Sequence, residues 1–140
     1  MRYLLVASVY EQIEKTTKRL EMTDYLVELF KNTPKNLIDK VVYLTQGKLY
    51  PDFMGIEIGM AEKLAIRAVA RAAGRKIQDI ENDLRETGDL GETAQKFLEN
   101  KLQVTFFQQP LTVERVYQTL DRIARASGSG SIDQKISLLA

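Results

Sequence analysis

Apolar residues recur three and four positions apart along almost the whole chain, the spacing of one helix face rather than the alternation of a strand. Val6, Val9, Tyr10, Ile13, Thr17 and Leu20 fall on one side of the first segment. Glu11, Glu14, Lys15, Lys18 and Arg19 fill the other, which predicts one long amphipathic helix. A second run after Thr23 groups Tyr25, Leu26, Leu29 and Phe30. Thr33 before Pro34 has the form of an N-cap and first helical residue, opening a third helix that carries Leu37, Ile38, Val41 and Leu44 and stops at Gly47. The segment from Leu49 to Gly59 reads as loop, with Tyr50 held extended by Pro51.

Beyond Gly59 the pattern strengthens. The Ala-rich stretch up to Gly74 predicts a helix with Leu64, Ala65, Ala68, Val69 and Ala72 inward. Ile77, Ile80 and Leu84 mark a shorter helix that ends at Gly88, and Asp89 with Glu92 three residues on resembles a capping box for the next, which finishes at Phe97 and Leu98. Residues 103–111 read as an exposed irregular connection, since Pro110 blocks a helix and three Gln surround two adjacent Phe. Thr112 caps a helix with Val113, Val116, Tyr117, Leu120, Ile123 and Ala124 inward, closed by Ser127 and Gly128. Ser131 with Gln134 suggests another capping box, opening a helix with Ile132, Ile136 and Leu139. That helix shows no Gly, Asn or Pro stop, so the pattern predicts a continuation past Ala140. The expected fold class is all-α.

Composition narrows the chemistry more than the architecture. A chain of 140 residues with 44% hydrophobic and 28% charged residues suits one compact domain rather than disorder. It contains no Cys, His or Trp, which removes disulfides, thiolate and imidazole metal sites, thiol nucleophiles and every mechanism with a histidine base. With 20 basic and 19 acidic side chains no overall field points to a polyanionic partner, so any such surface must be local. Residues 101–140 lean slightly positive, through Arg115, Arg122, Arg125 and Lys135. The N-terminus lacks the form of a signal peptide, and no stretch approaches the roughly 18 to 20 apolar residues that span a bilayer. The expectation is an intracellular protein without a membrane partner.

Four local features could carry function. Lys63, Arg67, Arg71 and Arg75 recur every four residues along the Ala-rich helix, a basic ridge that suits phosphate contacts and equally a solvated helix face. Ser127, Gly128, Ser129, Gly130 and Ser131 lead into a helix start, where freed backbone N–H groups, hydroxyls and the positive end of the helix dipole can receive an anion. The same five residues would also serve as an ordinary turn. Asp89, in the Gly-rich junction Thr87–Gly91, reads as a cap rather than a catalyst. Phe106 and Phe107, with Gln103 before them, form either an exposed hot spot or a local core plug.

The run EIGMAEKLAIRAVARAAGRK, then ETGDLGE, then PLTVERVYQTLDRIARASGSGS, in this order and spacing, resembles the N-terminal DNA-binding domain of ATP-dependent DNA ligases, the archaeal form most nearly. The opening MRYLLVASVYEQIEKTTKRLEMTDYLVELF looks like the start of the archaeal enzymes. The resemblance spans residues 1–140 and implies a compact multi-helix domain, incomplete at its C-terminal end, from a replication, repair and recombination enzyme. In that family the domain grips nicked double-stranded DNA across the minor groove through backbone amides and small polar or basic residues at helix ends. Ser127, Gly128, Ser129, Gly130 and Ser131 match such a segment, Arg67 matches a basic position, and Arg71 and Lys135 are the neighbouring cations. A shortened motif for docking on the sliding clamp PCNA, Gln-x-x-Phe-Phe, is matched by Gln103, Phe106 and Phe107 in a loop of residues 102–111.

The family's adenylated lysine lies in a Lys-x-Asp-Gly motif of a separate nucleotidyltransferase domain, followed by an OB-fold domain. This chain contains no such motif. The resemblance therefore implies a part that does not seal nicks alone, holds no cofactor itself, and belongs with further domains that use ATP and Mg. The alternative is a helical adaptor that binds the clamp or another protein but never DNA. The expected location is the cytoplasm, in association with the nucleoid.

Overall fold

Backbone hydrogen bonds between the two ends of the first helical layer set its frame. Tyr3 N–H donates to the Leu111 carbonyl at 2.9 Å and Val113 N–H to the Met1 carbonyl at 2.9 Å, making an isolated antiparallel bridge between Arg2 and Thr112. These contacts belong to a computed structural model that describes residues 1–99 and 109–140. Among the described residues every regular element is helical. The chain divides into two compact units: Met1–Ile58 with Gln109–Asp121, and Gly59–Gln108 with Arg122–Ala140.

The first unit holds α1 (Tyr3–Glu14), α2 (Arg19–Lys31), α3 (Ile38–Thr45), a 3-10 turn at Asp52–Met54 and most of α7 (Val113–Arg125). Its core joins Val6, Leu29, Val41 and Val113, with Val9, Tyr10, Phe30 and Leu44 packed around them. The predicted continuous first helix is broken after Glu14. Thr16 is the reason: its Oγ1 accepts from the Lys18 N–H at 3.2 Å and donates to the Glu21 carboxylate, so the hydroxyl competes with the helical ladder. Leu20, expected inward, is 82% exposed. Thr33 also differs from expectation. Its hydroxyl donates back to the Leu29 carbonyl at 2.7 Å, finishing α2, while Pro34 to Leu37 form a turn and α3 starts only at Ile38.

At the loop end of this unit, Tyr117 on α7 donates its hydroxyl to the Leu49 carbonyl, and Tyr50 donates to Asp121 Oδ1 at 2.9 Å. The two rings meet edge to face, and Lys40 Nζ lies 5.3 Å from the Tyr117 ring centroid. Burial first, and then the neighbouring Tyr50, push the Tyr117 phenol well above its usual range.

The second unit holds α4 (Glu62–Ala73), α5 (Ile77–Thr87), α6 (Leu90–Glu99), the last turn of α7 and α8 (Ser131–Leu139). Helix α4 packs on α5, α6 and α8. That central position explains why its buried stripe is wider than predicted: Ile66 and Ala70 are buried beside the expected Ala68, whereas Leu64, Ala65, Val69 and Ala72 are half-buried. The core joins Ile66, Ala70 and Ile80 with Val69, Leu84, Leu90 and Phe97. Gly74 ends α4 at φ 66°, a left-handed conformation that costs a residue with a Cβ roughly 1 to 2 kcal/mol.

At the α5–α6 junction half of the expected capping box forms: Asp89 Oδ1 accepts from the Gly91 N–H at 2.8 Å, while the Asp89 N–H is met by Thr87 Oγ1 at 3.3 Å in place of Glu92. Asp83 of α5, only 7% exposed, accepts from Lys96 Nζ of α6 at 2.7 Å. Lys96, helped by Thr93, holds the Asp83 carboxyl below its ordinary range, and Asp83 raises Lys96 in turn. The expected cap of Thr112 on α7 is present, with its Oγ1 accepting from the Arg115 N–H at 3.2 Å. The expected capping box at Ser131 is not. Ser131 is the first residue of α8, and the cap position belongs to Gly130 at φ 80°.

Candidate nucleic-acid interface

Helix α4 presents Lys63, Arg67 and Arg71 at exposed positions, because its other sides are committed to α5, α6 and α8. The four-residue spacing keeps these cations stacked on one face. Arg75 leaves the row. It lies past the Gly74 stop, and its guanidinium sits 5.7 Å from the Phe97 ring centroid, over α6.

The structure brings two of the sequence candidates to the α4–α8 joint. Arg71 Nη1 donates to the Ser137 hydroxyl of α8 at 2.7 Å, and Lys135 Nζ of α8 donates to the carbonyl of Gly59, just before α4, at 3.1 Å. Neither interaction consumes the whole head group: a guanidinium has five N–H donors and an ammonium three. Both keep donors for a phosphate while fixing the helices that carry them. Ser137 and Gly59 are the residues that sequence reasoning missed. Pairs separated by 66 and 76 residues leave no periodic signal.

Ser127, Gly128, Ser129 and Gly130 are exposed and run directly into α8. Ser131 N–H bonds the Gly128 carbonyl at 3.2 Å and Gln134 N–H bonds the Gly130 carbonyl at 3.1 Å. Gly128 and Gly130 both take positive φ, at 83° and 80°, and an added Cβ would meet nothing within 4 Å at either. Their role is conformational: they turn the chain so that α8 opens toward solvent without a side-chain cap. Asp133 in the first turn places one negative charge at the same end. Arg67 is placed by its exposure on α4.

Gln103, Phe106 and Phe107, and most of the expected 102–111 loop, lie outside the described residues. Pro110 and Leu111 at its end are described, and both are exposed. Among the described residues no group of three or more acidic side chains is arranged to hold a metal ion, and no helix is long and apolar enough to cross a membrane.

Comparison with known proteins defines the class. The family model described as DNA ligase N terminus matches residues 2–140. The chain belongs to the DNA ligase N-terminal family, and its helical architecture is that of this domain. It is 51% identical over its whole length to a DNA ligase of Nitrosopumilus maritimus and 51% identical over 98% of its length to DNA ligase 2 of Thermofilum pendens. A probable DNA ligase of Aquifex aeolicus is 50% identical over the whole chain. In each case the chain spans 24% of the relative's length.

Proposed function

We propose that this chain is the DNA-binding and clamp-recruiting part of an ATP-dependent DNA ligase acting in replication, repair and recombination. The observation that carries the DNA half is the α4–α8 face: Arg67 and Arg71 stand exposed one turn apart on α4, and Arg71 is tied to α8, the helix entered through the Ser127–Gly130 turn. Backbone amides, hydroxyls and a few local cations suit phosphates on nicked duplex without reading bases. Near-neutral net charge does not oppose this, since such contacts are local. Lys135 both supports the joint and offers donors beside it.

The chain's own residues do not fit ATP. It lacks the Lys-x-Asp-Gly motif, so the adenylate-accepting lysine and the Mg-dependent chemistry belong to nucleotidyltransferase and OB-fold domains elsewhere in the parent enzyme. What this part contributes is grip on the nicked duplex and delivery to the sliding clamp PCNA through Gln103, Phe106 and Phe107. Two adjacent aromatics can fill an apolar clamp pocket with the Gln amide bonding beside it. The work is done inside the cell, at the nucleoid.

Two measurements separate this reading from a protein-only adaptor. Fluorescence anisotropy with nicked duplex should show Arg67→Gln and Arg71→Gln weakening binding, with Ser137→Ala, which releases Arg71 from α8, weakening it less. An adaptor would show no duplex binding to weaken. Phe106→Ala with Phe107→Ala should abolish clamp binding at unchanged helicity. A loss of helicity would instead make the Phe pair a core plug.

A further inference from the structure

Cations of the second unit spend their charge in two different ways. Lys96 gives its ammonium to a carboxylate, Asp83 Oδ1 at 2.7 Å. Arg71 and Lys135 instead bond neutral oxygens: the Ser137 hydroxyl at 2.7 Å and the Gly59 carbonyl at 3.1 Å. Among the described residues neither of them makes an ion pair. Arg71 has a carboxylate in its neighbourhood, since Asp133 stands one turn before Ser137 on α8, yet its bond goes to the hydroxyl. A guanidinium bonded to a neutral oxygen keeps its full charge, so this end of the α4–α8 joint still attracts an anion.

The Ser137 hydroxyl has a proton of its own to place. One lone pair of Oγ accepts from Arg71, and the O–H is a separate donor. A hydroxyl residue inside a helix commonly turns that proton back onto the carbonyl four residues earlier. Thr23, Thr33 and Thr45 all do so, onto Arg19, Leu29 and Val41. Among the described residues Ser137 bonds no such carbonyl: Arg71 is its partner, and the residue stands exposed. An uncompensated guanidinium and a spare hydroxyl donor thus lie side by side at the surface, where one tetrahedral oxyanion can accept from both.

We propose that Ser137 is itself a phosphate ligand: its hydroxyl and the Arg71 guanidinium, held together by their mutual bond, take the oxygens of one DNA phosphate. The assignment rests on the DNA-binding reading of the α4–α8 face and adds to it a neutral donor from α8. The Arg71–Ser137 bond orders both groups before the phosphate arrives, so less side-chain freedom is lost on binding. A hydroxyl releases no counterion, so its share is affinity without salt dependence, unlike that of Arg71.

The test is anisotropy titration of nicked duplex with the whole chain at several salt concentrations, for wild type, Ser137→Ala, Ser137→Thr, Arg71→Ala and Arg71→Ala/Ser137→Ala. Both positions are exposed on helices, and far-UV circular dichroism should show unchanged helicity. Ser137→Ala should weaken binding roughly three- to tenfold at an unchanged salt slope, with Ser137→Thr near wild type. A similar factor should separate Arg71→Ala/Ser137→Ala from Arg71→Ala, where no guanidinium remains to be held. If the factor vanishes in that background, the hydroxyl serves only to hold Arg71, and the proposal falls while the DNA reading stands. Ser137→Ala equal to wild type overturns it likewise. Wild-type binding that ignores salt removes the DNA reading and the role of Ser137 with it. Unbroken duplex separates the two kinds of phosphate: equal losses from Ser137→Ala on both duplexes assign a backbone diester, and a loss on nicked duplex alone assigns the terminal phosphate at the nick.

Discussion

Asp83 shows how one side chain organises its surroundings. It sits almost fully buried between α5 and α6 with one oxygen on Lys96, whose side chain is 58% exposed. Because the folded protein holds the Asp83 carboxyl below its ordinary range, the unfolded chain takes up this proton first as pH falls. The pair's contribution is therefore full above the ordinary carboxylate range, near about pH 4, and is lost as pH drops through the lower folded value. Lys96 is raised, so its share holds below the ordinary lysine range and is lost only as pH climbs past the raised folded value. Asp83→Asn should melt at a lower temperature than wild type at neutral pH, with the gap narrowing below about pH 4. Thermal melts across pH check this, and a gap independent of pH would assign the loss to packing.

None of that pair was legible beforehand, since nothing in the sequence marks Asp83 as buried or Lys96 as its partner. The same holds for Ser137. Residues whose roles depend only on near neighbours were legible: Asp89 and Thr112 serve as caps because a short acceptor before an apolar-periodic run has few other uses. Asp89→Ala should cost about 1 kcal/mol of stability in urea unfolding, as removal of a cap does.

At the scale of elements, periodicity located the helices and misjudged several of their ends, among them the start of α2, which opens at Arg19 and not after Thr23. These errors involve hydroxyl residues. Thr16, Thr23, Thr33 and Ser131 each can bond forward as a cap or backward to a preceding turn, as Thr23 does to the Arg19 carbonyl at 2.9 Å, and spacing alone does not decide which. Thr33 bonds backward to Leu29, and Thr16 interrupts what reads as one helix. Ser131 yields to Gly130, whose positive φ lets the backbone enter α8 directly. Gly130→Ala should therefore destabilise by roughly 1 to 2 kcal/mol through conformation alone, since a Cβ there meets no atom within 4 Å. Chemical denaturation measures it, and a neutral result would mean that the turn readily adopts another form. The width of the α4 stripe was also hidden, because a helix at the centre of a unit buries more than one face and its pattern blurs toward uniform Ala.

For the whole molecule, composition removes Cys- and His-based chemistry, and the comparisons place the chain in the DNA ligase N-terminal family. The chain spans about a quarter of the length of the ligases it matches. The structure holds two compact units, each with its own hydrophobic cluster. The cations tied to α8 belong to the second unit. Charge was the least informative number, because a surface that meets phosphates with a few cations and backbone amides need not move the net balance from +1.

The central claim is that the α4–α8 face holds DNA by its phosphates. The direct measurement is equilibrium binding of a nicked duplex across salt concentrations, for wild type, Arg67→Gln/Arg71→Gln and Ser137→Ala. Log affinity should fall linearly with log salt, and the double Arg variant should flatten the slope by roughly 1 to 2, about 0.9 for each phosphate no longer neutralised. Ser137→Ala should leave the slope unchanged. Binding that ignores salt, or a slope that both sets of variants leave untouched, would contradict the account.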